Sequence, residues 1–597
     1  MKKKRIAALT LAVAITVAGC AQSSSEETTV SLPGTSAAVT ETATEATPAE
    51  TTTEALGTTA APEEGFIETG KDILFSEKSG FYTGSFVLRL KLKGEGKLYY
   101  TTDNTTPTEG SVLYNGGISI PASTGDYPKS VCVRAVGYLE DGTVTDEIAA
   151  TFMVGPDVFE RFSTDVFCIS GDPADFTGKD GIFTNPKERG KESERRIFVT
   201  AFDKDGNVLI EQFAGARVYG GASRTSPLKS LKLFARKSYD ADHGSFKYNF
   251  FDTIGADGDF INKYDKLVLR NTGNDMQFAY IRDEYLQVVA RAAGYSTYEG
   301  VIPALGYFNG NYYCLYWLHE NYCNKYFEEK FGKGEGRYVI LEGTDKSKST
   351  DDEDDKFAVD EFQEIYEKAS QSDLTIEENY NYLKEKIDVN DYLDYFAFNI
   401  YIGNSDWPNN NFKCYRYYPA EGENLNGQMD GRWRFLLHDT DYSLGLYEQR
   451  ETRANYDTLK GVMKEGGKRY SPLFSALMKR DDCREYFISR MLDIMNTVFV
   501  PQTALELLEG VTDQRDTEMS YYYKYLEKLR NAGDRDVWSR ADHLKNYMNL
   551  ITFFLTSRPD YMIGFLKKDL DCEIEGGPGT YAVVDEKESK TMEEESK

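Results

Sequence analysis

The chain has 597 residues, too many for one ordinary domain, and its 40% hydrophobic and 13% aromatic content is ample for a large core. With 69 Lys and Arg against 97 Asp and Glu, the formal net charge is −28, a field that repels nucleic acid and anionic headgroups and favours cations or basic partners. Only 4 His, and 8 Cys with no Cys-x-x-Cys pair, argue against a zinc centre and make histidine-dependent hydrolysis a poor first choice.

Taken in order, Lys2 to Arg5 form a positive start, Ile6 to Val17 an apolar run, and Val17-Ala18-Gly19-Cys20 a small-residue close, which predicts a signal peptide over 1–19. The segment ending in Cys20 resembles the lipobox of bacterial lipoproteins. That resemblance implies cleavage before Cys20 and a diacylglycerol on its sulfur, anchoring the chain to the cell membrane on the extracellular side. No later run approaches the ~18 apolar residues of a spanning helix, so the lipid on Cys20 is the only membrane contact expected. Residues 20–66 are Ser, Thr, Ala, Glu and Pro with few large apolar side chains, an extended acidic tether.

Short alternating segments separated by Asn, Gly and Pro turns predict a small all-β sandwich over 70–156. Within it, Leu98-Tyr-Tyr-Thr-Thr-Asp-Asn-Thr-Thr-Pro-Thr108 and Val112-Leu113-Tyr114 resemble the chitobiase C-terminal-like module family. This implies an accessory spacer, or a module that contacts glycan or cell wall. From Ile197 strands mix with helices. Gly215 to Arg224 is a glycine-rich turn feeding the strand Lys229–Arg236, which carries Lys229 on one face and Lys232 on the other. Close backbone approach plus a cation suits a phosphate site, although edge lysines also guard against aggregation. Lys266–Arg270 reads as a strand, and Phe278, Ile281, Tyr285, Val288 and Ala292 as one helix face ending at Gly294. That helix carries Arg282, Asp283 and Glu284 on its polar face, which are either solvated or supply one ion-pair partner to the strand lysine.

Asn309-Gly310 marks a hairpin closed by Glu320. Residues 346–356 read as an exposed acidic loop, without calcium-loop spacing. The apolar stripe Val389, Leu393, Phe396, Ala397 and Ile400 is a helix that stops at Gly403 and delivers the chain to Asp406. Two strands separate Asp406 and Asn411 from Asp439 and Asp441. Helices follow over 471–479, 481–498, 503–531 and 537–556, and residues 576–597 form an acidic, disordered tail.

An Asp five residues before an Asn, with an acidic turn about thirty residues on, is the layout of a phosphoryl-transfer site. Asp406 is placed to accept a hydroxyl proton, Asn411 and Asp439 to hold a divalent ion, and Asp441 to share or shape that shell. An all-oxygen set suits Mg²⁺ or Mn²⁺. Gly221-Ala-Ser-Arg224 with Lys229-Ser230, Leu269-Arg-Asn-x-x-Asn-Asp275, Ile281-Arg-Asp283, Asn309-Gly310 with Glu320, Asp406-Trp-x-x-Asn-Asn411 and Asp439-Thr-Asp441 together resemble the CotH family of spore-coat-type atypical protein kinases. The resemblance covers about 190–570. It implies an α+β, kinase-like domain with a helical C-terminal lobe, transferring the γ-phosphoryl of ATP to Ser or Thr of surface, secreted or coat proteins. It further implies that Arg224, Lys229 or Lys232, Arg282 and Glu320 serve the nucleotide, Lys229 being favoured by the Lys-Ser pair. The competing reading is a non-catalytic surface-binding or assembly protein on the same fold, carbohydrate- or cellulosome-associated. A glycoside hydrolase with paired carboxylates has only the acidic residues behind it.

Overall fold

The computed structural model describes residues 65–67, 70–345, 347–350, 353–423, 427–531 and 541–584. The leader, Cys20, most of the tether and the tail beyond 584 lie outside the described residues. The start of the tail is built in: Ile574–Glu575 pairs with Ala582–Val583. Among the described residues no helix is long and apolar enough to cross a membrane.

The N-terminal module is the expected β-sandwich. Its larger sheet runs Gly80–Tyr82, Ile148–Val154, Ser130–Leu139, Gly96–Thr101 and Val112–Leu113, faced by the pairs Ile73–Phe75 with Leu90–Leu92 and Phe86–Leu88 with Ile118–Ile120. Alternate residues turn inward, so Ile73, Phe75, Leu88, Leu98, Val133 and Phe152 share one core. Ordered pairing starts earlier than residue 70, because the Ile67 amide donates to the Phe75 carbonyl at 2.8 Å.

The module is docked on the strands C-terminal to it. Glu147 bridges Arg134 of the sandwich and Arg196 beyond it, both at 2.6 Å. The Thr200 hydroxyl donates to that of Thr151 at 2.9 Å, the Ser79 hydroxyl donates to the Glu211 carboxylate, and Cys132 packs with Phe198 and Phe213.

The next element is a closed seven-stranded barrel of β1 (Asp165–Gly171), β2 (Arg195–Phe202), β3 (Val208–Tyr219), β4 (Ser230–Phe234), β5 (Lys266–Arg270), β6 (Val301–Phe308) and β7 (Asn311–His319), in the order β1-β2-β3-β4-β5-β7-β6. All neighbours are antiparallel except β6 and β1, the parallel seam. β1 lies ahead of the expected domain start at 190. It is a continuous buried run without polar alternation, which hides it from pattern reading. The β6–β7 turn has φ of 46° at Asn309 and 83° at Gly310, the left-handed pair that a two-residue hairpin demands.

The helix after β5 starts later than its apolar spacing suggests. α1 spans Arg282–Ala292, and Gly273–Gln277 is a single 3-10 turn. The buried Asp275 carboxylate accepts from the amides of Ala279, Ile281 and Arg282, holding the chain in a non-helical arc before α1 begins. The second lobe opens with a four-stranded sheet, in which β8 (Arg337–Thr344), β9 (Ser347–Ser349), β10 (Phe412–Tyr418) and β11 (Arg434–Leu436) take the order β9-β8-β10-β11. The acidic stretch before Lys356 is partly folded. Its last residues, Glu353–Asp355, make a 3-10 turn, and buried Asp355 pairs with Arg337 at 2.7 Å.

Behind that sheet lies α2 (Val389–Tyr401), buried along most of its length and capped by the Asp388 carboxylate on the Asp391 amide. The C-terminal helices α3 (Pro472–Leu477), α4 (Asp481–Asn496), α5 (Pro501–Asn531) and α6 (Ala541–Leu570) complete the lobe. α6 continues past Thr556 and through Pro559, because its apolar stripe of Ile551, Phe554, Leu555, Met562 and Leu566 continues in the core.

Candidate active site

The site lies where the barrel meets the second lobe, and the β-sheet pleat decides which residues reach it. In register, Arg217 opposes Lys232, Lys232 opposes Val268, and Val268 opposes His319. Directly opposed residues point to the same side, so one face of the barrel carries Tyr219, Lys232, Arg270 and His319. The other face sends Leu231, Leu233, Leu267 and Leu269 into the core.

From the second lobe, α2 ends at Gly403, whose φ of 67° turns the chain into the loop 403–411. The loop is held from both sides. Within it, the Asp406 amide donates to Asn404 Oδ1 at 3.2 Å. Outside it, the Ser405 amide donates to the Tyr442 carbonyl at 3.0 Å, fastening it to the turn 438–443. Asp406 is half-buried and accepts from Asn410 Nδ2 at 2.8 Å and from Asn411 Nδ2 at 3.3 Å. Burial raises its carboxyl above the ordinary carboxylate value, the two amide donors pull it back, and Asp439 pushes it up. Such a group is a better proton acceptor than an exposed Asp.

Asn411 Nδ2 also donates to the Asp439 carbonyl at 3.3 Å. Both donated bonds leave from its nitrogen, so its Oδ1 is the end available to a cation. Asn411 and Asp439 both sit at left-handed φ, 57° and 51°. Non-glycine residues adopt this region sparingly, Asn and Asp more readily than most, and it concentrates at functional sites. Asp406, Asn411 and Asp439 therefore converge in one half-buried cluster.

Asp441 does not share that exposure. It is 1% exposed, and its two oxygens accept from the Asn274 amide at 2.8 Å and Asn274 Nδ2 at 3.1 Å, with Arg270 Nη2 at 3.3 Å. Burial, then the neighbouring Asp439, raise its pKa far above the ordinary value. Its contacts tie the acidic turn to the strand–helix connection of the barrel.

Of the cations expected at the nucleotide, Lys232 alone lies on the cleft face. It is half-buried, with Nζ 5.0 Å from the Tyr219 ring centroid, and burial with Lys413 and Lys266 nearby lowers its pKa to about 8. Lys413, two residues after Asn411, pairs with Glu342 at 2.9 Å. Lys229 differs from expectation. Its ammonium donates to the Ser226 carbonyl at 2.5 Å and is buried on the other strand face. Arg224 donates to the carbonyls of Pro186, Val218 and Glu188, which makes it a clasp for the turn before β4. Arg282 is fully buried against Asp275. Glu320 accepts the Gly300 amide at 2.8 Å, and burial raises its carboxyl above the ordinary value against the pull of Lys330. These four side chains do not meet Asp406, because each is consumed by a local backbone or buried partner.

The strand–helix ion pair exists, with Asp283 as its helix member and Arg270 in place of a lysine as its strand member. Arg270, at the end of β5, contacts Asp439 at 2.5 Å, Asp441 at 3.3 Å and Asp283 of α1 at 3.5 Å. Burial opposes its charge, but these three carboxylates lift its pKa well above the ordinary value. Asp283 in turn accepts from the Thr440 amide at 2.9 Å and hydroxyl at 2.7 Å.

Beside it lies a buried chain of acids and imidazoles. His319 contacts Glu284 at 3.2 Å and Glu299 at 3.1 Å, and Glu299 also reaches His438 at 3.1 Å. Asp283, Glu299 and His319 are close enough to be considered as an ion cage. Both His319 nitrogens are occupied by carboxylates at hydrogen-bond distance, however, so the imidazolium is itself the cation. The two acids, against the penalty of burial, raise its pKa to about 9. Sequence patterns give Arg270, Asn274 and Glu299 no individual role at the site, and offer Asp283 only as one of three possible partners of a strand lysine. The Leu-Arg-Asn-x-x-Asn-Asp run holds the first two, without spacing that points to chemistry.

A divalent ion fits the residues present. The donors are carboxylate and amide oxygens, three carboxylates share one guanidinium, and Asn411 presents its oxygen free of donors.

A family model described as "CotH kinase protein" matches residues 216–562, and one described as "Fn3 associated" matches 88–152. No curated protein matches the chain. Among solved structures, "Structures of Clostridium thermocellum CbhA fibronectin(III)-like modules" is 11% identical, covering 27% of this chain and 83% of that chain with a TM-score of 0.12. The first match spans more than half of the 597 residues and contains the cleft strands, the loop 403–411 and the acidic turn, so the chain belongs to the CotH kinase family.

Proposed function

We propose that this protein is a metal- and ATP-dependent kinase that phosphorylates Ser or Thr of surface, secreted or coat proteins. It works from the extracellular side of the membrane to which lipid on Cys20 anchors it. The observation carrying this reading is the convergence of Asp406, Asn411 and Asp439, which are supplied by two separate segments. Phosphoryl transfer is catalysed mainly by positioning and charge neutralisation, so a rigid base beside an oxygen-lined cation site is most of what it requires.

Asp406 accepts the proton of the attacking hydroxyl, its basicity raised by burial. Asn410 and Asn411 fix the carboxylate in place. Asn411 Oδ1 and the Asp439 carboxylate hold Mg²⁺ or Mn²⁺, which when bound neutralises charge on the β- and γ-phosphates. Lys232, and Lys413 from the opposite side, supply positive charge along the cleft. The β-sandwich serves as the contact to wall or glycan.

The purified protein, given labelled ATP with Mg²⁺ or Mn²⁺, should label itself or a Ser-rich peptide. Asp406→Ala should lower kcat by roughly 10²–10⁴-fold, and Asp439→Ala should abolish metal-dependent nucleotide binding. Absence of transfer, together with absence of metal-dependent nucleotide binding in the wild type, refutes the kinase reading in favour of a binding or assembly role.

A further inference from the structure

Arg270 touches both acids of the metal-side turn and a residue of α1. Its Nη2 lies 2.5 Å from Asp439 Oδ1, 3.3 Å from Asp441 Oδ2 and 3.5 Å from Asp283 Oδ2. Among the described residues, its Nε and Asp283 Oδ2 have no hydrogen-bond partner, and both are buried. The guanidinium is therefore placed by charge, not by a saturated hydrogen-bond set, among three carboxylates.

Asp439 Oδ1 is taken by Arg270, which leaves Oδ2 as the oxygen able to face a cation. Asp283 also receives the amide and hydroxyl of Thr440, the residue between the two acids. The turn is thus gripped at three successive residues, Asp439 and Asp441 by Arg270 and Thr440 by Asp283. Asp439 holds its left-handed φ of 51° inside that grip. An isolated carboxylate on such a turn would rotate freely. Here its orientation is set before any ion arrives.

We propose that Arg270 is a positioning residue for the metal site. With Asp283 it couples the barrel strand and α1 to Asp439, and it presents one defined carboxylate oxygen to the ion. In this protein the strand–helix ion pair acts on the metal ligand and not on the nucleotide phosphates. The inference rests on the kinase reading only in taking Asp439 as a metal ligand, and it is tested by metal binding without nucleotide turnover.

The test is Mn²⁺ titration of the full chain followed by electron paramagnetic resonance, for wild type, Arg270→Lys, Arg270→Gln and Asp283→Asn. Circular dichroism melts identify any variant that has not folded, and Asp283→Asn, which keeps side-chain shape, stands in where an Arg270 variant fails. Loss of an outer partner of a ligand typically weakens metal binding 10–100-fold. That weakening is expected for each folded variant, and the Arg270→Lys, Asp283→Asn double variant should lose no more than the worse single one. In turnover at saturating Mn²⁺, kcat should fall while the KM for ATP stays within about threefold. Unchanged or tighter Mn²⁺ binding in the folded variants overturns the proposal, since Arg270 would then be a bystander or a competitor of the ion. A wild type that binds no Mn²⁺ overturns it equally. A wild type that binds Mn²⁺ with the expected variant losses but neither transfers a phosphoryl group nor binds nucleotide with the metal refutes the kinase reading alone.

Discussion

At the scale of single residues, the most consequential group beside the acidic cluster is His319, 1% exposed and held between Glu284 and Glu299. Its folded pKa of about 9 exceeds the ordinary 6.5, so the folded state binds the proton more tightly. The resulting stabilisation, of order 3 kcal/mol, is fully present below pH 6.5 and is lost as pH rises through about 9. The denaturation midpoint of the wild type should therefore fall across that window. His319→Gln should start lower and show no such step, and parallel curves would mean that the buried imidazole is neutral. The grouping of Asp406, Asn411 and Asp439 was legible in the sequence, since loop spacing and two short strands bring them together almost locally. The partners of Lys229, Arg224, Arg282 and Glu320 were not. Each found a carbonyl, an amide or a buried acid that no spacing rule specifies, and the cation beside the acids came instead from Arg270, which reads as an ordinary strand end.

At the scale of elements, α2 decides where Asp406 stands. Phe396 on that helix is fully buried, and its ring lies 4.5 Å from Trp407, one residue past Asp406, and 4.7 Å from Phe474 of α3. Phe396→Ala should cost about 3–5 kcal/mol of stability. On the kinase reading it should also lower kcat beyond what the stability loss explains, because the cavity opens directly under the loop 403–411. A variant that melts early but turns over normally at low temperature would separate the helix from the site. The same helix is fastened from behind by Arg558 of α6, which is buried and donates to the carbonyls of Ile400 and Tyr401 at 2.7 and 2.8 Å, and to those of Ala454 and Tyr456, each at 2.7 Å. Periodicity showed α2 clearly, because its apolar stripe is long. It missed the late start of α1, where an acid captures the amides first, and the run of α6 through Pro559, where packing overrides local propensity.

At the scale of the molecule, the β-sandwich and the barrel share a packed, charged boundary. Removing residues 65–154 would expose Phe198 and Phe213 and leave Glu211 without Ser79. The remaining domain is expected to melt several degrees lower and to self-associate, measured by light scattering. Glu147→Gln, which weakens two bridges at once, should give a smaller loss that grows as salt is lowered. Equal stability with and without the sandwich would make it an independent spacer. The sandwich was readable from its turns, whereas its docking was not, because interface residues such as Phe198 and Phe213 look like any other inward-facing strand residues.

The parallel seam of the barrel bears on how the chain is made. β1, complete at residue 171, gains β2 as a neighbour soon after, but its other side pairs with β6, which ends at residue 308. A chain that emerges from the ribosome or an export channel with its N-terminus first must hold that side of β1 unpaired throughout the interval. An unsatisfied strand edge is a template for other chains, and contacts between distant segments form slowly. While residues 172–300 are still arriving, that open side of β1 is where the growing chain is most exposed to pairing with other chains.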